Sequence, residues 1–196
     1  MMFVKSVQSF LSKWHDDESG NVAVESVFMV PLLFWAYLGT HSYFDVYKHE
    51  GISFKANITI ADMVSRETNY INDAYIDGAQ GLLEFLSNVD ESPELRITAF
   101  RWIEADNKYE VVWSKERGDK PELTTATLAN HEDKLPIMVD YEVAILVETW
   151  MDYERPFDIP LADGLYVENY TVNAFTVTSP RFATQICFGS ESSSVC

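Results

Sequence analysis

Glu25 is the side chain whose setting most needs a chemical explanation. It stands directly before Ser26–Phe44, SVFMVPLLFWAYLGTHSYF, a run of 19 residues with no Asp, Glu, Lys or Arg. A carboxylate at the mouth of such a run is costly unless it is paired or held at a headgroup boundary. One ordinary account makes it an interface marker that favours a helix N-terminus. Other residues capable of chemistry are sparse. The four histidines are His15, His41, His49 and His131, and only His131 lies well beyond the apolar run, within Asn130-His131-Glu132-Asp133. As a general base it would need a nucleophile and an orienting carboxylate. No G-x-S-x-G motif accompanies it, and HxxxH, CxxC and Walker-type loops are absent. The acidic clusters Asp16-Asp17-Glu18 and Asp90-Glu91 lack the spacing of a calcium loop. These observations name no catalytic residue, no metal ligand and no cofactor, and the expected function is non-enzymatic.

The element that must position Glu25 is the apolar run itself. At about 1.5 Å per residue it spans roughly 28 Å, close to the hydrocarbon thickness of a bilayer. Pro31 lies inside it, which membrane helices tolerate. Tyr43 and Phe44 suit an interfacial belt. A cleaved secretory signal fits poorly, because the run is long, no Ala-x-Ala follows, and the preceding residues are acidic. A retained single-pass helix is expected. Lysines on the two sides do not set its orientation. The roughly 150 residues on the far side carry Cys187 and Cys196, which suits an oxidising compartment, so the N-terminus is expected in the cytoplasm and the large domain outside. Two free thiols and one disulfide are both open readings of that pair. The extracytoplasmic setting favours the disulfide, at roughly 2–3 kcal/mol of loop-closure stabilisation. With 31 acidic against 14 basic residues the formal charge is −17. Phosphate backbones and anionic lipid heads repel such a chain, so nucleic acid is not an expected partner.

Gly20 precedes Glu25 by five positions, in Ser19-Gly20-Asn21-Val22-Ala23-Val24-Glu25. This G-x-x-x-x-E at the head of an apolar helix resembles the processing site of type IV prepilins. The wider pattern, GNVAVESVFMVPLLFWAY, with Gly20, Val22 to Val24, Glu25 and Pro31, is similar to the TadE/TadG-like minor pseudopilins of tight-adherence (Flp-type) pilus systems. The likeness runs from Asp16 to roughly Lys48. It implies cleavage between Gly20 and Asn21 by a prepilin peptidase, an assembly role for Glu25, a helix kink at Pro31, and other pilus-system subunits as partners. A glycine lets an extended strand enter a peptidase cleft, and cleavage would give a new α-amine at Asn21 that a neighbour's Glu25 could neutralise in a low dielectric. Ser26 departs from the pattern, since many Flp-type prepilins have a tyrosine after the glutamate. The implied location is the bacterial inner membrane, with the large domain periplasmic and incorporation into a pilus. Pilins often carry a C-terminal disulfide loop, which agrees with Cys187–Cys196. The rival reading is a permanently anchored envelope protein whose outer domain binds another partner.

The expected layout is a leader over 1–20, a transmembrane helix over 21–45 and an α+β domain over 46–196. Beyond the membrane, Phe54, Ile58, Ala61 and Val64 fall on one helical face and Lys55, Asp62 and Arg66 on another, with Gly51 as a candidate break. Asp62 and Arg66 form an i,i+4 pair. A second helix is expected over Ala74–Val89, with Ala79, Leu82, Leu83 and Leu86 inward. Strands are expected over Leu95–Ile103, around Tyr109, Val111 and Trp113, around Tyr141, Val143, Ile145 and Val147, and over Tyr166–Thr178, with Asp106-Asn107 as a turn. Helices followed by strands give an α+β fold with an antiparallel sheet on a helix. A long N-terminal helix packed on such a sheet, the pilin arrangement, is implied by the resemblance. The sequons at Asn57 and Asn169 carry no weight in a bacterial chain.

Overall fold

A computed structural model of the chain describes residues 21–87, 92–154 and 169–196. Helix α1 (Asn21–Ser65) and helix α2 (Asp73–Ser87) precede strands β1 (Glu94–Ile103) and β2 (Lys108–Arg117). A short helix α3 (Thr125–Leu128) runs into a 3-10 turn over Ala129–Lys134. Strands β3 (Val143–Tyr153), β4 (Tyr170–Thr178), β5 (Phe188–Ser190) and β6 (Ser193–Val195) follow. The chain is therefore α+β, and it divides into two compact units within α1, at Phe44 and Asp45.

In the first unit α1 is long and apolar enough to cross a membrane. Val22 to Phe44 gives about 35 Å of helix. Its large side chains face outward: Val22, Phe28 and Phe44 are each more than 70 % exposed. The three serine and threonine hydroxyls of this stretch bond within the helix itself. Ser26, Thr40 and Ser42 donate to the carbonyls of Val22, Ala36 and Leu38, at 2.7, 2.8 and 3.1 Å. Such i−4 bonds let polar residues sit in a lipid-facing helix. Helical structure continues through Pro31, although its missing N–H removes the donor for the carbonyl of Val27.

In the second unit a four-stranded antiparallel sheet runs in the order β2-β1-β3-β4. Both faces are covered. On one, Leu95, Ile97, Ala99, Trp113, Ile145, Val147 and Met151 pack with Ala56, Ile60, Ala61 and Val64 of α1 and Ile76, Ala79 and Leu83 of α2. On the other, Phe100, Ala144 and Leu146 pack with Leu123, Leu128 and Met138. Asn57 is fully buried and fastens α1 to the sheet. Its Nδ2 donates to the carbonyl of Val147 (3.1 Å), the hydroxyl of Thr149 (3.2 Å) and the carbonyl of Ala174 (3.3 Å).

Several expectations are corrected. α1 does not break at Gly51, where a Cβ would meet open space. Phe54 and Ile58 are exposed. The inward face is Ser53, Ala56, Asn57, Ile60, Ala61 and Val64. Small and hydrogen-bonding residues admit a close helix–sheet approach, so the largest apolar side chains mark the wrong face here. The β1–β2 hairpin turns as expected, with Asn107 left-handed at φ 49°. However, the pairing shifts between Ala99↔Trp113 and Phe100↔Val111, leaving Val112 as the extra residue of a bulge. Trp113 therefore joins the first core, while Tyr109 and Val111 lie with the second. Tyr141 precedes β3 in a turn rather than lying within it. The described part of the fourth strand begins at Tyr170, and Tyr166 lies outside the described residues. The Asp62–Arg66 pair is present at 2.9 Å, and α2 buries Ala79 and Leu83 with Leu82 and Leu86 partly covered.

Candidate functional site

The apolar stretch of α1 is the feature most in need of a function. Glu25 lies on its exposed surface, about one turn from the start of the described helix. Between Val22 and Phe44 the only other Asp, Glu, Lys, Arg or His is His41, which sits near Tyr37 with ring centroids 6.4 Å apart. Asn21 is the first described residue of the helix, and Gly20, with the leader over 1–20, lies outside the described residues. Pro31 lies within the helix, two turns beyond Glu25. Chemically this arrangement is a helix long and apolar enough to cross a membrane, with one exposed carboxylate near one end.

The cysteines are joined as a Cys187–Cys196 disulfide, with Cα atoms 4.5 Å apart. It closes the β5–β6 hairpin. Gly189 has φ 125°, and a Cβ there would collide with the carbonyl of Ser193, so this turn requires glycine. The hairpin is stitched into the core at two points. Ile71 donates its N–H to the carbonyl of Cys187 (2.9 Å) and accepts from the N–H of Gly189 (2.7 Å). The indole of Trp113 donates to the carbonyl of Ile186 at 2.7 Å.

Two polar clusters escaped sequence reasoning. On the second sheet face Arg96 and Glu148 form an ion pair at 2.7 Å, with side chains 7 % and 2 % exposed. Arg96 Nη1 also donates to the carbonyl of Pro121 at 2.7 Å, and its guanidinium lies 5.0 Å from the ring centroid of Trp150. The second cluster surrounds the first turns of α1 in this unit. Tyr153 Oη donates to Asp45 (3.3 Å), Tyr170 Oη donates to Glu50 (3.1 Å), and His49 meets the ring of Tyr153 edge-on at 5.3 Å. Both nitrogens of His49 are buried without a hydrogen-bond partner. Burial lowers the pKa of His49 below its usual 6.5, against the opposing pull of Asp45, Glu50 and Asp152. Burial also raises the phenol of Tyr170 to about 12, with the hydrogen bond to Glu50 and its charge adding to the effect.

His131 contacts β4 and the short helix that precedes it. Its ring stacks on Phe175 at 6.2 Å, and Nδ1 lies 3.4 Å from the carbonyl of Thr127. Among the described residues no three His, Cys, Asp or Glu side chains gather as a metal site. The Asn57 sequon lies in the core, where Asn57 is fully buried. No family model matches the sequence, no curated protein matches it, and no solved structure matches its fold.

Proposed function

We propose that this chain is a minor pseudopilin-like subunit of a tight-adherence pilus system. One observation carries the reading. A single carboxylate, Glu25, stands at the head of a helix long and apolar enough to cross a membrane, five positions after Gly20. Under this reading the helix stores the subunit in the inner membrane with its N-terminus cytoplasmic and its large domain periplasmic. A prepilin peptidase cuts between Gly20 and Asn21. The new amine at Asn21 and a carboxylate at Glu25 then pair between neighbouring subunits, where the low dielectric strengthens the attraction. Pro31 sets the local bend of the helix, and the α+β domain supplies surfaces to other pilus-system subunits.

The test is co-expression with a prepilin peptidase. The chain should lose 20 residues and begin at Asn21, with 12 basic and 28 acidic residues remaining (14 − 2 and 31 − 3) and a charge of −16. Gly20→Leu should block the change in size. Glu25→Ala should still insert into membranes, because a costly group has gone, but should no longer cross-link to the other pilus subunits. Normal trimming of Gly20→Leu would refute the processing site. Normal cross-linking and piliation with Glu25→Ala would reduce that residue to an interface marker. An N-terminus still at Met1 or Met2 beside an active peptidase would favour the permanently anchored alternative.

A further inference from the structure

At the end of the sheet where β3 begins, the connection from the 3-10 turn leaves three large apolar side chains in water. Ile137 is 101 % exposed, Val139 74 % and Tyr141 65 %. Between them Met138 is buried in the second core, so this connection is anchored rather than peeled away. Tyr109 Oη donates to the carbonyl of Pro136 at 2.8 Å. The N–H of Val139 donates to Glu142 Oε2 at 2.9 Å, and the N–H of Glu142 returns to the carbonyl of Val139 at 2.9 Å. The N–H of Tyr141 reaches the carbonyl of Trp102 at 2.9 Å, and that of Glu104 reaches Asp140 Oδ1 at 2.9 Å.

The third residue of the turn Val139–Glu142 is Tyr141, at φ 60°. Glycine or asparagine is the usual occupant of a left-handed turn position, and a bulky side chain there is strained. The surroundings thus hold an exposed tyrosine in a conformation it disfavours, two positions on from Val139. Strain of this kind collects at ligand-facing sites. The patch also carries a charge signature. Glu104, Asp106, Glu132, Asp133, Asp140 and Glu142 are all exposed around it. Of the nearby cations, Lys108 is paired with Asp106 at 2.8 Å, and Lys134 lies over the ring of Phe175 at 6.0 Å.

We propose that Ile137, Val139 and Tyr141 form a docking knob for a different protein, one that presents an apolar pocket rimmed by lysine or arginine. Apolar anchors inside a charged rim are the usual anatomy of a protein interface, and the rim selects the partner. A second copy of this chain is disfavoured, since it brings the same acidic rim and a formal charge of −17. Anionic lipid is repelled for the same reason. The inference stands apart from the pilus reading and requires neither cleavage after Gly20 nor pairing by Glu25.

The experiment places a photo-reactive amino acid at Ile137 or Val139 in the full chain, in its own host cells, with exposed Phe85 on α2 as the control position. The expected result is one heterologous adduct from Ile137 and Val139, absent from Phe85, whose cross-linked peptide contains Lys or Arg. Glu104→Lys/Asp133→Lys should cut the adduct yield by about tenfold. Tyr141→Gly, which frees the backbone from strain, should raise the unfolding temperature while lowering the yield. A residue with a merely structural role would lower both. Adducts to a second copy, adducts to lipid, no adduct above the Phe85 control, or a yield indifferent to charge reversal would each overturn the proposal.

Discussion

Replacing Arg96 with methionine is the sharpest probe of the α+β domain. The substitution keeps most of the apolar stem and removes the guanidinium. It leaves the carboxylate of Glu148, 2 % exposed, without its partner at 2.7 Å. It also strands the carbonyl of Pro121, which accepts from Arg96 at 2.7 Å. Breaking a buried pair in this one-sided way costs about 3–5 kcal/mol, because a charge is left in a poor solvent. At about 2–4 °C per kcal/mol for a chain of this size, the unfolding temperature should fall by about 6–20 °C. The double variant Arg96→Met/Glu148→Leu removes both charges and should recover most of the loss, since apolar replacement of a whole buried pair is often neutral. The assay is thermal unfolding of the full chain in detergent micelles, followed by tryptophan fluorescence, because Trp150 sits against the pair. A double-mutant cycle gives the coupling energy directly. If Arg96→Met costs under about 1 kcal/mol, as exposed pairs do, the pair is effectively hydrated and the burial argument fails.

Other outcomes follow from the disulfide and from His49. Cys187→Ser opens the loop to Cys196 and should destabilise the α+β domain by roughly 2–3 kcal/mol in the same unfolding assay; equal stability of the reduced and oxidised forms would count against that figure. The pKa of His49 is lower in the folded state, so the unfolded chain binds its proton more readily. The contribution is fully present above the unfolded value of 6.5 and is lost as pH falls through 6.5 towards the folded value, with a slope of at most about 1.4 kcal/mol per pH unit. His49→Gln should therefore lose less stability than the wild type between about pH 7.5 and 5.5, and parallel melting curves for the two proteins would refute this.

What could be read in advance was whatever depends on neighbours in sequence. A helix long and apolar enough to cross a membrane is a matter of local hydropathy, and nineteen residues without Asp, Glu, Lys or Arg announce it. Asp106-Asn107 specifies its turn because asparagine tolerates the left-handed backbone observed at φ 49°. The features that escaped depend on distant partners. The inward face of α1 is decided by Asn57, whose hydrogen bonds reach β3 and β4 about 90 to 117 residues away. The bulge at Val112 flips the second half of β2 to the other face, and alternation alone carries no mark of it. Asp45 and Glu50 of α1 find their phenol partners, Tyr153 and Tyr170, 108 and 120 positions further on. Arg96 and Glu148 face each other only because β1 and β3 pair in one register.

The attachment of Ile71 has a consequence for how the α+β domain is made. Ile71 is fully buried at the junction between α1 and α2, and its backbone is satisfied by Cys187 and Gly189. That junction cannot close until residues 186–189 have emerged, and α1 cannot be fastened through Asn57 before the carbonyl of Ala174 has arrived. Native closure is thus delayed by topology, since contacts this far apart in sequence are slow to form. Until then the α1–α2 junction lacks the backbone partners that Cys187 and Gly189 supply. The same contacts that lock the finished domain also keep it from locking too soon.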